Sequence, residues 1–305
     1  MEANQVSKTA LASAYVRAYH AAHDRPKIFD DPLAQLMVPA EASRFMEDLF
    51  VDSFRELAPE LSASCPDRAS VLAASMQASA APPLILARSR YAEDLLAKVA
   101  KQGVQQYVII GAGLDSFALR RPNSLGHLQI FEVDSPATQA LKGQLILATG
   151  KEQPPQLHLV PLDFSRERLQ VALARAGHDP RVPSFFSILG VTFYLTRRDL
   201  FDTLGAIADV APAGSSVVFD YLDTDAFIPA RVAMRVQLVM DELQAWGEPW
   251  ITGLDPAGLA AELVPLGLRL QEDLGPADIE ARYFQGRQDE YHACEHAHFA
   301  WSVIT

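Results

Sequence analysis

The sequence predicts a doubly wound α/β fold carrying an N-terminal helical cap, and three observations predict it. Short apolar runs at residues 106–110, 128–133, 157–161, 184–189 and 215–220 alternate with helical segments, the pattern of a parallel sheet with crossover helices. The first run ends in Gly111-Ala-Gly113 and the second in Asp134, a glycine turn after one strand and a carboxylate after the next. Ahead of both, the chain shows helical character without a strand pattern over a stretch of domain scale.

Taken in order, residues 6–24 are rich in Ala and Tyr and read as a helix, and Asp30-Asp-Pro-Leu33 starts another. Helical character continues through 34–57 and 69–79, with Pro82-Pro83 expected as a break. This makes a cap of residues 1–85, followed by a Rossmann-like domain over 86–305. Residues 84–102 read as the helix leading into the first strand, stopped by Gly103. Residues 199–209 form a crossover helix ending near Pro212 and Gly214. A longer helix is expected over 226–246, ending at Gly247-Glu-Pro249, within an insertion of about 222–256 that lies over the site. Its stripe of Val232, Val236, Val239, Met240 and Leu243 reads as core packing rather than a ligand surface. A helix at 257–266, a strand at 268–273 and a last strand at 299–304 complete the chain.

The glycine loop narrows the ligand. Gly111 and Gly113 allow a tight turn and a close backbone approach, and Asp134 is placed to accept hydrogen bonds from ribose hydroxyls. A dinucleotide fingerprint needs a third small residue, Gly or Ala, where this chain has Ser116. A nucleoside without a phosphate fits the pattern better, and a nicotinamide oxidoreductase becomes the lesser alternative.

Gly111-Ala-Gly-Leu-Asp115, then Phe131-Glu-Val-Asp-Ser-Pro136 followed by Lys142, resembles the leucine carboxyl methyltransferase-like family of S-adenosylmethionine-dependent methyltransferases. The likeness extends to Ser7-Lys-Thr-Ala10, Phe29-Asp-Asp-Pro-Leu-Ala34, Ala87-Arg-Ser-Arg-Tyr91, Val160-Pro-Leu-Asp-Phe164 and Gly190-Val-Thr-Phe-Tyr-Leu-Thr196. The resemblance implies a class I methyltransferase sheet whose last strand runs antiparallel. It implies S-adenosyl-L-methionine as cofactor, with Gly111, Ala112 and Gly113 at its methionine end and Asp134, followed by Ser135, at its ribose. Asp163 and Phe164 would sit beside the adenine, and Leu189 and Gly190 would also border the cofactor. Arg88 or Arg90 would pair with the cofactor carboxylate, because a planar guanidinium meets both oxygens; the alternative for each is an exposed helix surface.

The chain departs from the family at one point, with Leu189 where relatives carry a glutamate before the glycine. Either the pocket is rebuilt around a bound cofactor, the favoured reading, or methyl transfer is weakened or lost. The function expected is therefore O-methyl transfer to a small molecule in secondary metabolism. A carboxylate acceptor is favoured, since it is ionised at neutral pH and the chain shows no obligatory base. The alternative is a cofactor- or metabolite-binding protein of the same fold that does not methylate. No catalytic residue is assigned. Tyr15, Tyr19 and Tyr221 are the candidate substrate contacts, each weighed against packing in the core.

Other chemistries fit less well. His292, Cys294, His296 and His298 would share a face if their segment were extended, but neighbours on one strand seldom close a tetrahedral metal site. No nucleophile elbow and no phosphate-binding loop motif appears. A formal net charge of −12 and no basic run argue against nucleic acid. The start of the chain has no signal-like apolar stretch, and Cys65 and Cys294 are far apart, so a soluble cytoplasmic protein with free thiols and no membrane partner is expected. Homo-oligomerisation is left open.

Overall fold

A computed structural model describes residues 7–150, 152–164 and 166–305. Residue 6, the first of the expected N-terminal helix, lies outside the described residues. The chain opens with helix α1 (Lys8–His23), capped by the Ser7 side chain on the Ala10 amide. Helices α2 (Ala40–Leu57), α3 (Pro59–Ser64), α4 (Arg68–Ala78) and α5 (Ala81–Ala100) follow. Pro82 and Pro83 do not break the chain as expected. They occupy the first turn of α5, where the amide that proline lacks has no partner to lose. One continuous helix consequently runs through the expected boundary at residue 85.

The alternating half begins with β1 (Gln106–Ile110), α6 (Phe117–Arg120), β2 (Gln129–Asp134), α7 (Pro136–Ala148) and β3 (Leu157–Pro161). It continues with α8 (Leu169–Arg175), β4 (Ser184–Ile188), α9 (Arg197–Ala208) and β5 (Ser216–Leu222). The insertion supplies α10 (Met234–Trp246), and α11 (Pro256–Leu263), β6 (Leu268–Leu274), α12 (Pro276–Ile279) and β7 (Ala297–Ile304) close the chain. The insertion helix is shorter than expected. A 3₁₀ turn, Thr224–Phe227, capped by Asp223, comes first, and a separate turn, in which the Ile228 carbonyl accepts the Arg231 and Val232 amides, lies between it and α10.

The described strands form one sheet in the order β3-β2-β1-β4-β5-β7-β6, parallel except where β7 runs antiparallel between β5 and β6. Alternation along each strand divides the core into two layers. Tyr107, Ile109, Ile130, Phe185, Val218 and Leu222 face the layer shared with α1, α2, α4, α5 and α10. Val108, Ile110, Phe131, Val133, Phe186 and Phe219 face α8, α9 and α11. The α10 stripe joins the first layer, with Val236, Val239 and Leu243 buried and Val232 and Met240 packed against it. No single helix among the described residues is long and apolar enough to cross a membrane.

Candidate active site

Chain order reverses between β1 and β4, and the crevice beyond their carboxyl ends is where an open α/β sheet takes a ligand. Each strand there ends in a glycine that must be glycine. Gly111 has φ +70, and a Cβ on it would lie 2.3 Å from Val191 Cγ2, so the loops after β1 and β4 meet across the crevice. Gly190 has φ +70, and its missing Cβ leaves room for the Arg88 guanidinium, whose Nη2 would be 2.3 Å away.

Asp134 closes the β1 side. Its Oδ2 accepts the Gly113 amide at 2.7 Å and its Oδ1 the Ser135 amide at 2.7 Å. This pins the glycine loop to the end of β2, and each carboxylate oxygen keeps a second lone pair for a ligand hydroxyl. Ser135 caps α7 through its side chain rather than facing the crevice with it. Ala112 is buried beneath the turn. After β3, Asp163 pairs with Arg166 at 3.3 Å while the Phe164 ring stands half exposed, an apolar face available to a flat ligand.

Behind Asp134, Glu132 is fully buried and receives the Lys142 ammonium. Burial pushes its carboxyl up to about 7 despite the pull of Lys142. Between about pH 4.5 and 7 the folded protein holds a proton that the unfolded chain has released. The stability from this group is thus complete below that window and is lost as pH rises through it, with a slope of at most about 1.4 kcal/mol per pH unit. Denaturation midpoints followed across this range are expected to show the fall. The double variant Glu132→Gln/Lys142→Met, which removes both charges, is expected to flatten it.

On the β4 side the structure separates the two arginines. Arg90 pairs with Asp94 one turn along the surface of α5. Arg88 is buried, and its Nη1 donates to Asp220 Oδ2 at 3.0 Å. Asp220, fully buried, also accepts the Gly190 amide on Oδ1 at 2.7 Å, and its carbonyl accepts the Thr192 hydroxyl at 2.5 Å. Sequence reasoning missed Asp220. The only signal was an acid near the end of the fifth strand on the cap-side parity, the face Asp134 shares on β2. Leu189 lies on this side too, packed against the cap-side core.

A second missed group ties the cap to the glycine loop. The Ser116 hydroxyl donates to Asp31 Oδ1 at 2.5 Å and accepts from Arg120 Nε at 2.9 Å. Arg17 on α1 donates to Asp31 Oδ2 at 3.0 Å and to the Leu114 carbonyl at 2.8 Å. Burial opposes the Asp31 charge, but Arg17 and Arg120 hold its carboxyl below the usual range.

The tyrosines divide. Tyr15 stacks on Phe50, with Tyr19 6.5 Å away ring to ring, both in the cap. Burial raises the Tyr15 phenol well above its ordinary value and pushes Tyr19 up to about 12, so neither is a base at neutral pH. Tyr221 is turned to the other face of the sheet, with its hydroxyl on Asp273 Oδ2 at 2.7 Å and its ring on His298. It does not join Asp220 on the cap side, because neighbours on a strand point to opposite faces.

The histidine segment is not extended throughout, for β7 starts only at Ala297. His298 stacks on Tyr221, and His296 accepts the Ala233 amide on Nε2 and meets Asp223 through Nδ1. His292 is exposed beside Glu280, and burial pushes the Cys294 thiol up to about 12. The four do not converge.

This strand order, with its reversed last strand and its crevice between β1 and β4, is the class I methyltransferase fold. The chain belongs to the leucine carboxyl methyltransferase family, whose sequence model matches residues 10–208, from α1 through α9. It is 34% identical over 313 aligned positions, covering 99% of each chain, to YktD of Bacillus subtilis, named as a candidate S-adenosyl-L-methionine-dependent methyltransferase. A similarly named protein of Mycolicibacterium smegmatis is 31% identical over 80% of this chain and 76% of its own. Among solved structures, a DUF574 family protein from Streptomyces avermitilis superposes with a TM-score of 0.58 at 17% identity, covering 96% of this chain and 97% of that one. A structure from Thermobifida fusca, named as a candidate methyltransferase, gives 0.54 at 15% identity, covering 95% and 94%.

Proposed function

We propose that the protein transfers the methyl group of S-adenosyl-L-methionine to an oxygen of a small molecule, with an ionised carboxylate as the favoured acceptor. The observation that carries this reading is the pair of left-handed glycine loops flanking the β1–β4 crevice, with Asp134 on one side and Arg88 on the other. The absent Cβ of Gly190 leaves the place that the Arg88 guanidinium takes, and the absent Cβ of Gly111 lets the Val191 side chain approach, which supports a site built from the two loops.

When bound, the cofactor supplies a methyl already made electrophilic by its sulfonium. The chain's task is to bind, orient and exclude water. Asp134 would accept the ribose hydroxyls, and Phe164 would cover the adenine beside Asp163. Asp220 takes one of the five guanidinium donors of Arg88, leaving others for the cofactor carboxylate. The cap and the insertion would hold the acceptor in line with the methyl–sulfur bond, an orienting effect worth roughly 7–11 kcal/mol at its ideal limit. A carboxylate has no proton to lose and so needs no general base.

Calorimetric titration with S-adenosylmethionine and S-adenosylhomocysteine, with NADH as control, tests the cofactor half. Both should bind, and Asp134→Ala should weaken each roughly 10–100-fold through lost hydrogen bonds to charge. NADH binding in their place would overturn the reading. Methyl-labelled cofactor and a panel of acids and phenols test the other half. Label released as methanol in alkali marks an ester, and label that survives marks an ether.

Leu189 favours a second reading, a protein that binds the cofactor without transferring methyl, since an apolar side chain packs on the cap-side core where the family resemblance would place a glutamate. Turnover by the wild type eliminates it; turnover appearing only in Leu189→Glu supports it.

A further inference from the structure

The insertion and the N-terminal helix meet at one carboxylate. Glu248 Oε2 accepts from the Ser7 hydroxyl at 2.9 Å, the Thr9 hydroxyl at 2.6 Å and the Thr9 amide at 3.2 Å, while Oε1 accepts the Lys8 amide at 3.0 Å. The first amides of a helix have no partner within it, and a negative charge at that end also meets the positive pole of the helix dipole. One side chain, distant in sequence, thereby accepts the first two amides of α1, while the Ser7 hydroxyl takes that of Ala10.

The two partners are anchored very differently. Glu248 follows the left-handed Gly247 that ends α10, and its amide donates to the Leu243 carbonyl at 3.0 Å. Just beyond, the Ile251 amide donates to the Phe193 carbonyl at 2.7 Å, and the Trp250 ring packs on Phe193, so this segment is fixed to the loop after β4. Helix α1 is fixed two turns further along, by Arg17 on Asp31 and Leu114. Its first turn rests on Glu248 and on the glycine loop, where a Cβ at Gly113 would lie 3.3 Å from Ala10 Cβ. The turn therefore spans from the loop after β1 to a segment tied to the loop after β4, across the mouth of the crevice.

We infer that Glu248 is a positioning residue that holds the first turn of α1 shut over the cofactor crevice, so that cofactor access and release require these hydrogen bonds to open. The inference rests on the cofactor site proposed above and adds to it the element that closes the site. Glu248→Gln preserves shape and removes the charge, and Thr9→Val removes a donor from the opposite side of the same contact.

Hydrogen exchange on the full-length protein without cofactor, paired with stopped-flow exchange of S-adenosylhomocysteine, tests it. Both variants are expected to speed exchange in the first turn of α1 while the helix beyond Arg17 keeps its protection. Dissociation of S-adenosylhomocysteine should accelerate about tenfold, the scale of losing a helix cap, and association should accelerate as well. A purely structural cap would not speed association. Unchanged exchange in the first turn overturns the clamp. Faster exchange in that turn with unaltered ligand kinetics reduces Glu248 to a cap and overturns the gate. If wild-type protein binds neither S-adenosylmethionine nor S-adenosylhomocysteine, the cofactor reading fails, and the gate with it.

Discussion

Asp220→Ala is expected to abolish measurable cofactor binding and to lower the unfolding free energy by about 3–5 kcal/mol, the usual effect of removing one partner of a buried ion pair. Asp220 is fully buried and each of its carboxylate oxygens has a task, Oδ2 for Arg88 and Oδ1 for the Gly190 amide. Alanine leaves a buried guanidinium uncompensated and a loop amide without its acceptor. Asparagine is expected to do little better. It presents one acceptor and one amino group to two donors, so one contact becomes donor against donor. The measurements are chemical denaturation and calorimetric titration of both variants. Wild-type affinity in Asp220→Ala would show that Arg88 does not need this carboxylate to reach its working position.

Gly190→Ala is expected to separate binding from folding. Forcing a Cβ into the left-handed region costs about 1–2 kcal/mol. The Cβ would also lie 2.3 Å from Arg88 Nη2 and 2.7 Å from Cζ, so the guanidinium must leave its place beside Asp220. Cofactor affinity should fall by roughly two orders of magnitude or more, as a bidentate charged contact is displaced, while the fold survives. Gly267→Ala supplies the control, since Gly267 has φ +73 with nothing within 4 Å of its missing Cβ. It should show the backbone cost alone with unchanged binding. Equal losses of affinity in the two variants would mean that the contact between Gly190 and Arg88 is irrelevant.

Much of the candidate site was legible because its signals are local. Gly111, Gly113 and Asp134 stand at strand ends, and a strand end is visible as the place where an apolar run meets a glycine or an acid. Arg88 and Arg90 show the limit of that view. Both lie on α5 and both match a motif, yet one is buried against Asp220 and the other pairs with Asp94 at the surface. Which face of α5 meets the sheet is settled by packing, and two arginines two residues apart on a helix point in different directions. Tyr221, a candidate substrate contact, stands away from the crevice for a related reason: one step along β5 turns a side chain to the opposite layer.

By itself the sequence determined the strands, because apolar runs bounded by turn residues need no distant partner to be recognised. Those expected at 106–110 and 157–161 coincide with β1 and β3, and the others begin or end within one or two residues of the observed bounds. It misjudged Pro82-Pro83, since proline ends a helix or begins one according to whether its turn is the first. Only the tertiary structure decided which groups hold the crevice in shape. Asp220 joins Arg88 across 132 positions of chain, Ser116 joins Asp31 across 85, and Glu248 joins Ser7 across 241. No local pattern encodes such pairs. A buried charge finds its partner only after the sheet, the cap and the insertion have closed around it, and the cost of leaving it unpaired then holds that arrangement in place.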